Sequence, residues 1–422
     1  MYLPGNTLCL LFIFLLIQAG LFSSWRQLSL LVTCADNDRN GRSFDPPIQS
    51  VLTAKHENLL NGVVVRAFPP WPENLPLPCG KADPLKWSTP AVSRSPTKEG
   101  ILFVKEMKTG SSTVSGIVLR IARNIARRKN QSVMCDSRFD HWPARYMKFV
   151  DRDRENSFLF TIIRNPQTRI GSQFFHFLVS RLKMEPSDEN YKKFITKAHY
   201  LHDYYLKDLA LVPSDDKNQS LFVHTYKPQE MDGHQLRQLR LKLANGIMRG
   251  YNFIGITERM DECLVVLMMM LRLKISDIVY IKAKSSGNFD DGAFNNTCVY
   301  IVPSFTSPGM KKFFQSPLYL NISEGDWMLY RAAEKSLDMT IDRLGRRQFN
   351  RHLLQFQAAQ ELVNTKCAQS IRYPCSSSGV RAPYSKHSDP ATDCLWLDSG
   401  CGYECIDGME VEIESMVENI IY

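Results

Sequence analysis

Two short stretches of this sequence gather cations, hydroxyls and helix starts, the combination an anion site requires. The first is KEMKTGSSTV, residues 105–114. Lys108 supplies a charge, Thr109 and Gly110 a turn, and Ser111, Ser112 and Thr113 three hydroxyls at the head of a helix. The apolar positions Val114, Ile117, Val118, Ile121 and Ile125 recur at three and four, which predicts that helix. A helix N-terminus presents backbone N–H groups with no intrahelical partner and a partial positive charge, so a phosphate or sulfate fits there. Ser and Thr are also ordinary N-caps, and a loop lysine can simply be solvated, so the segment alone carries both readings.

The second stretch, FLFTIIRNPQTRIGSQFFHF (158–177), repeats the plan: an apolar strand, Arg164 at its end, Asn165 as cap, Pro166 in the first turn, and an apolar face of Ile170, Phe174, Phe177 and Leu178. Arg164 and Ser172, eight residues apart, could converge on one anion, the guanidinium forking onto it and the hydroxyl adding a directed bond. Arg164 alone could equally be a structural ion-pair member. The Walker pattern GxxxxGK[ST] is absent, since Gly110 is the loop's glycine and Lys108 precedes it, which disfavours a magnesium-triphosphate site and with it a P-loop kinase.

The elements that would position these residues follow from periodicity. Short apolar runs, ILFV (101–104), FLFTII (158–163), SLFVHTY (220–226) and NFIGIT (252–257), alternate with helical patterns. The expectation is an α/β fold with a mostly parallel sheet covered by helices on both faces. The apolar segment Cys263 to Leu273 predicts a core helix containing Met268, Met269 and Met270, and a further amphipathic helix is predicted over Asp326 to Gln360, interrupted at Gly345.

At 422 residues, with 44% hydrophobic and 23% charged side chains, the composition is that of a folded domain with appendages. The net charge of +9 suits an anionic ligand or membrane surface, and no Lys/Arg block is long enough to favour nucleic acid. Residues 1–7 are read as a short cytosolic tail, 8–32 as a single-pass signal anchor, with a signal peptide cleaved at a weak site around Ala19 as the alternative, 33–98 as a Pro-rich stem with little compact structure, 99–365 as the catalytic domain and 366–422 as a Cys-rich tail. Four glycosylation triplets follow the anchor, at Asn130, Asn218, Asn295 and Asn321. Of eleven cysteines, ten lie beyond it, five of them (Cys367, Cys375, Cys394, Cys401 and Cys405) in the tail. Together these predict a lumenal, oxidising location with disulfides rather than zinc in the tail.

Taken jointly, KTGSST after the first strand and RNPxxRxxSxF after a later one resemble the two donor-binding elements of sulfotransferases that use 3′-phosphoadenylyl sulfate. More narrowly, FVKEMKTGSSTV, HWPARY, TIIRNPQTRIGSQF and ITERMDECLVVL resemble the membrane-bound galactose 3-O-sulfotransferase family over roughly residues 100–350. The resemblance implies a P-loop-type fold, a Golgi type II membrane protein, and transfer of a sulfuryl group to a glycan or glycolipid hydroxyl, with galactose O3 as one candidate. It implies that Lys108, Thr109, Gly110, Ser111, Ser112 and Thr113 hold the 5′-phosphosulfate, that Arg164 and Ser172 hold the 3′-phosphate, and that no metal is required. The family's loop carries histidine before its lysine, whereas this chain has Met107. The base is therefore sought in His141, between the two donor-binding segments, with Glu106 as the alternative; His176, beside aromatic core positions, is read as structural. A uronyl 2-O-type sulfotransferase and a non-enzymatic lumenal anion- or glycan-binding ectodomain are the other readings the residues allow.

Overall fold

The computed structural model describes residues 58–79, 98–130, 135, 137–212, 231–282, 286–290, 298–370, 375–381, 400 and 402–420. The anchor segment, much of the stem, the run 220–226, Asn218 and Asn295, and Cys9, Cys34, Cys394 and Cys401 lie outside these residues. Among the described residues no helix is long and apolar enough to cross a membrane.

The fold is mixed α/β. Four strands, β3 (Gly100–Val104), β4 (Ser137–Asp140), β5 (Ser157–Ile163) and β6 (Phe253–Ile256), form one sheet in the order β4-β3-β5-β6 with every neighbouring pair parallel. Every residue of β3, β5 and β6 is buried, which is why these strands read as unbroken apolar runs rather than alternating ones. Phe103 stacks on Phe160 across the central pair, with ring centroids 4.9 Å apart.

Before β3 comes a small hairpin, β1 (Asn58–Leu60) and β2 (Val63–Val65). After β3 comes α1 (Ser111–Arg128). After β5 come α2 (Pro166–Gln173), a π-helical stretch over Phe174–Arg181, α3 (Asp188–Lys197), α4 (Tyr204–Leu209) and α5 (Gly233–Gly250). Beyond β6 lie α6 (Met260–Leu271), α7 (Ile275–Ile278), the short pair β7 (Phe289–Asp290) and β8 (Val299–Tyr300), and then α8 (Pro308–Phe314), α9 (Pro317–Leu344), α10 (Arg346–Cys367), α11 (Tyr403–Gly408) and α12 (Glu410–Glu418). Met268 and Met270 are core residues of α6. The helix expected from 326 breaks where expected, at Gly345 with φ of 94°, but starts earlier, where Ser316 caps the N–H of Tyr319 and Pro317 takes the first turn.

Two expectations about appendages are corrected. The stem reading fails over residues 58–79: Val63, Val64, Val65, Phe68 and Trp71 are buried in the main core. Asn61 and Gly62, both left-handed (φ 53° and 89°), make the tight turn that the Asn-Gly pair favours, and this folds two apolar triplets into a hairpin. Phe68 packs edge-on against Phe253 and Trp71 against Phe158. A Cys79–Cys135 disulfide fastens the segment's end.

The tail, likewise, is part of the same core. Ile406, Met409, Ile413 and Val417 join it, Cys367–Cys405 closes a disulfide, and Asp407 receives Arg120 and Arg123 from α1. Burial pulls Arg120 below its ordinary value, and Asp407 pulls it back. Cys298–Cys375 ties the tail to the β7–β8 region. Cys263 is a buried free thiol on α6 whose Sγ accepts from Ile256 N–H at 3.1 Å; burial raises it to about 12.

Candidate anion site at the seam between β3 and β5

The strand order places a topological switch point in the sheet. From β3 the chain crosses through α1 to β4 on one side, whereas from β5 it crosses to β6 on the other. The two helices that follow β3 and β5 therefore leave the sheet in opposite directions, and a crevice opens outside the C-terminal ends of those strands. Both sequence-predicted segments start at that crevice. Thr161 Oγ1 donates to Val104 O at 2.9 Å, closing the strand pair at the crevice end.

The first loop is coiled by two left-handed residues, Lys108 (φ 65°) and Gly110 (φ 75°). A lysine in that conformation is uncommon. Thr109 is buried and its hydroxyl donates to Glu106 O at 3.0 Å, knotting the turn. Gly110 is the N-cap of α1, and no side chain caps that helix. This decides one open point: Ser111, Ser112 and Thr113 are first-turn residues, not caps. Ser111 is buried, Ser112 and Thr113 are half-buried, and Lys108 is half-buried at the mouth.

Arg164 meets the loop directly. Its guanidinium donates to Lys108 O at 3.3 Å and to Thr168 Oγ1 at 3.1 Å, and lies 3.9 Å from Glu258. Its backbone is held by Tyr205, whose hydroxyl accepts from Arg164 N–H (2.9 Å) and donates to Arg164 O (2.7 Å). Burial raises the Tyr205 phenol well above its ordinary value, so it remains a neutral donor. Asn165 caps α2, accepting from the N–H groups of Gln167 and Thr168. Ser172 is half-buried near the end of α2.

His141 arrives from the loop after β4. Its Nδ1 lies 2.7 Å from Lys105 O. A carbonyl only accepts, so Nδ1 carries the proton and Nε2 the lone pair that can take one. The two candidate bases are thereby distinguished by place. Glu106 is fully buried beneath the loop, in the electrostatic neighbourhood of Arg169, Tyr205 and Tyr251, whereas His141 is half-buried at the rim. Lys105 is buried, with its ammonium 5.9 Å from the Phe139 ring centre. His176 is buried, as the structural reading expects.

Three contributors escaped the sequence reading. Thr257, just past β6, donates to Thr109 O (2.9 Å) and Ile163 O (3.1 Å), bridging the two loops. Glu258 accepts from Asn165 N–H at 3.0 Å. Arg169, 1% exposed, lies 4.0 Å over Tyr204 and donates to Gln173. Burial alone would lower that guanidinium, but the tyrosines, Asp326 and Glu106 outweigh it and raise it. All three lie inside the quoted motifs RNPxxRxxSxF and ITERMDECLVVL, which gave none of them a role.

Of the glycosylation triplets, Asn130 is exposed and left-handed just past α1. Asn321 sits on α9, where its side chain and carbonyl accept from Arg240 and Ser323 is buried. The arrangement as a whole sets the start of α1, which no side chain caps, beside Lys108 and Arg164, a grouping of first-turn N–H groups and two cations that suits an anionic group. Compared with known proteins, the chain matches no protein-family model and no curated protein.

Proposed function

We propose that the chain is a P-loop-type sulfotransferase that moves a sulfuryl group from 3′-phosphoadenylyl sulfate to a sugar hydroxyl of a glycan or glycolipid, with galactose O3 one candidate acceptor. The observation that carries the reading is the 3.3 Å bond from the Arg164 guanidinium to Lys108 O: segments 56 residues apart meet at a switch-point crevice. In this scheme the α1 N-terminus with Ser111, Ser112 and Thr113 holds the 5′-phosphosulfate, and Lys108 neutralises the charge that grows on the leaving phosphate. Arg164 with Ser172 takes the 3′-phosphate. The acceptor oxygen forms a bond to sulfur as the bond from sulfur to the bridging phosphate oxygen breaks; the hydroxyl proton passes to His141 Nε2, and adenosine 3′,5′-bisphosphate leaves. The three disulfides and exposed Asn130 support placing the domain in an oxidising lumen, as a Golgi type II membrane protein would have it.

The test is calorimetric titration of the full-length, detergent-solubilised protein with adenosine 3′,5′-bisphosphate, followed by incubation with radiolabelled donor and a panel of glycans and galactolipids. Saturable bisphosphate binding and labelled glycan are expected. No bisphosphate binding removes the donor site; binding without label on any sugar removes the acceptor class.

A further inference from the structure

The turn that carries His141 continues into an aromatic pair facing solvent. Trp142 is 39% exposed, the only exposed tryptophan among the described residues, and Tyr146 is 41% exposed. Their rings meet edge to face at 5.7 Å and 86°. Exposed rings lose the burial that normally stabilises them, so their rigidity must come from elsewhere.

Here it comes from the turn beneath. Ala144, Met147 and Phe149 are buried. Ala144 N–H donates to Asp208 O at 2.7 Å, and Tyr146 N–H to Pro143 O at 2.9 Å. Arg145, itself 9% exposed, lays its guanidinium 4.6 Å from the Tyr146 ring centre and donates to Lys207 O on α4. The cation thus braces Tyr146, and Tyr146 braces Trp142. An exposed ring fixed this way is preorganised, so a ligand that stacks on it orders little on binding.

We propose that Trp142, braced by Tyr146 and Arg145, is the stacking platform for the acceptor's pyranose ring, a neutral hexose, and thereby sets which sugar hydroxyl faces His141. The inference rests on the transferase reading and deepens it. The C–H groups of a pyranose face are weakly positive and match the negative face of an aromatic ring, while the hydroxyls around the rim stay available for directed bonds. Position selects the occupant: Trp142 adjoins His141, whose ring is fixed on Lys105 O, so the two Cα atoms are about 3.8 Å apart. A sugar on that platform brings its hydroxyls to the rim of the crevice where the sulfuryl group would arrive. Arg145, the cation packed beneath the pair, is turned in against Tyr146 and Lys207 and offers no charge to a sugar stacked on Trp142.

The experiment is saturation-transfer NMR on the full-length protein in a non-sugar detergent, with methyl β-galactoside and methyl β-glucoside as probes, run beside acceptor KM and adenosine 3′,5′-bisphosphate affinity. The wild type is expected to saturate pyranose ring protons. Trp142→Ala should abolish most of that transfer and raise acceptor KM about tenfold, while Trp142→Phe recovers most of both and Tyr146→Ala falls between. Bisphosphate affinity should stay within about twofold throughout. The proposal is overturned if neither glycoside receives saturation from the wild type, or if cooperatively folded Trp142→Ala keeps full transfer. It is overturned equally if Trp142 is instead quenched on plain phosphatidylcholine vesicles, which would make the pair a membrane contact. Trp142-dependent glycoside binding in a protein that ignores the bisphosphate would keep the platform and remove the transferase reading.

Discussion

The two strand–loop–helix units on either side of the β3–β5 seam share a plan and start their helices in opposite ways. At α2 the Asn165 side chain accepts from two first-turn N–H groups and Pro166 has no N–H to offer, so that N-terminus is satisfied from within. At α1 the N-cap is Gly110, which has no side chain, and no other side chain substitutes. One wall thus starts on a helix with no side-chain cap and the other on a capped helix, where the unit contributes the Arg164 side chain instead. Beneath the helices the contrast continues. α1 packs Val114, Ile117, Val118 and Ile121 into the main apolar core, whereas α2 sets Ile170 into a separate apolar cluster and Arg169 into a buried polar one with Tyr204, Tyr205 and Asp326. The lesson is that similar sequence periodicity builds both walls, while a single cap residue decides which helix start is closed by a side chain.

The largest effects should come from the cations that the two walls share. Lys108→Ala and Arg164→Ala should each cost on the order of 2–5 kcal/mol of transition-state binding, read as kcat/KM, with little change in thermal stability. Normal turnover in either variant removes the donor-site assignment. Next is the base: His141→Ala should slow turnover roughly a hundredfold, with bisphosphate affinity held within about twofold. A normal His141→Ala together with a dead Glu106→Gln would move the proton to the buried carboxylate and put the chemistry beneath the loop.

The caps themselves give the sharpest contrast. Gly110→Ala forces a Cβ onto a φ of 75° and to 3.0 Å from Met260 Cε. It should cost about 1–2 kcal/mol of stability and weaken bisphosphate binding as well. Asn165→Ala should cost about 1 kcal/mol of stability and leave bisphosphate affinity within about twofold. Equal losses of affinity in the two variants would mean that both N-termini bind, and the asymmetry would fall.

The polar floor under α2 predicts a pH signature. Burial, and then Asp203, raises Asp326 to about 7, against the pull of Arg169, the Tyr205 N–H and Lys207. The native state therefore holds a proton that the unfolded chain has released, and stability falls as pH rises from about 4 to about 7. Asp326→Asn should flatten that decline, by up to about 4 kcal/mol at pH 8 (about three pH units at about 1.36 kcal/mol each), measured by denaturant unfolding. An unchanged slope would mean the carboxyl is ionised throughout. Smallest is Thr257→Val, which removes the two bonds joining the walls and should cost about 0.5–1.5 kcal/mol. Hydrogen exchange at the Thr109 and Arg164 amides would report whether the loops loosen together.

What the sequence determined by itself is local. The buried parallel strands followed from unbroken apolar runs, α1 and α2 from three–four periodicity, the Asn165 cap and Pro166 from residue type, and the break at Gly345 from a glycine at the end of an apolar stripe. Each of these depends on neighbours within a turn or two. The Asn61-Gly62 hairpin was equally local and was obscured by the proline-rich composition around it. Only the tertiary structure decided the rest. The strand order that makes a switch point, the meeting of Arg164 with Lys108, the Thr257 bridge, the tautomer of His141 on Lys105 O, and the burial of Glu106 all join residues distant in sequence. The same holds for the N-terminal segment and the tail, whose apolar residues carry no mark of which core will receive them until the sheet has closed around β3 and β5. Periodicity says that a face is apolar; chain topology determines what it faces.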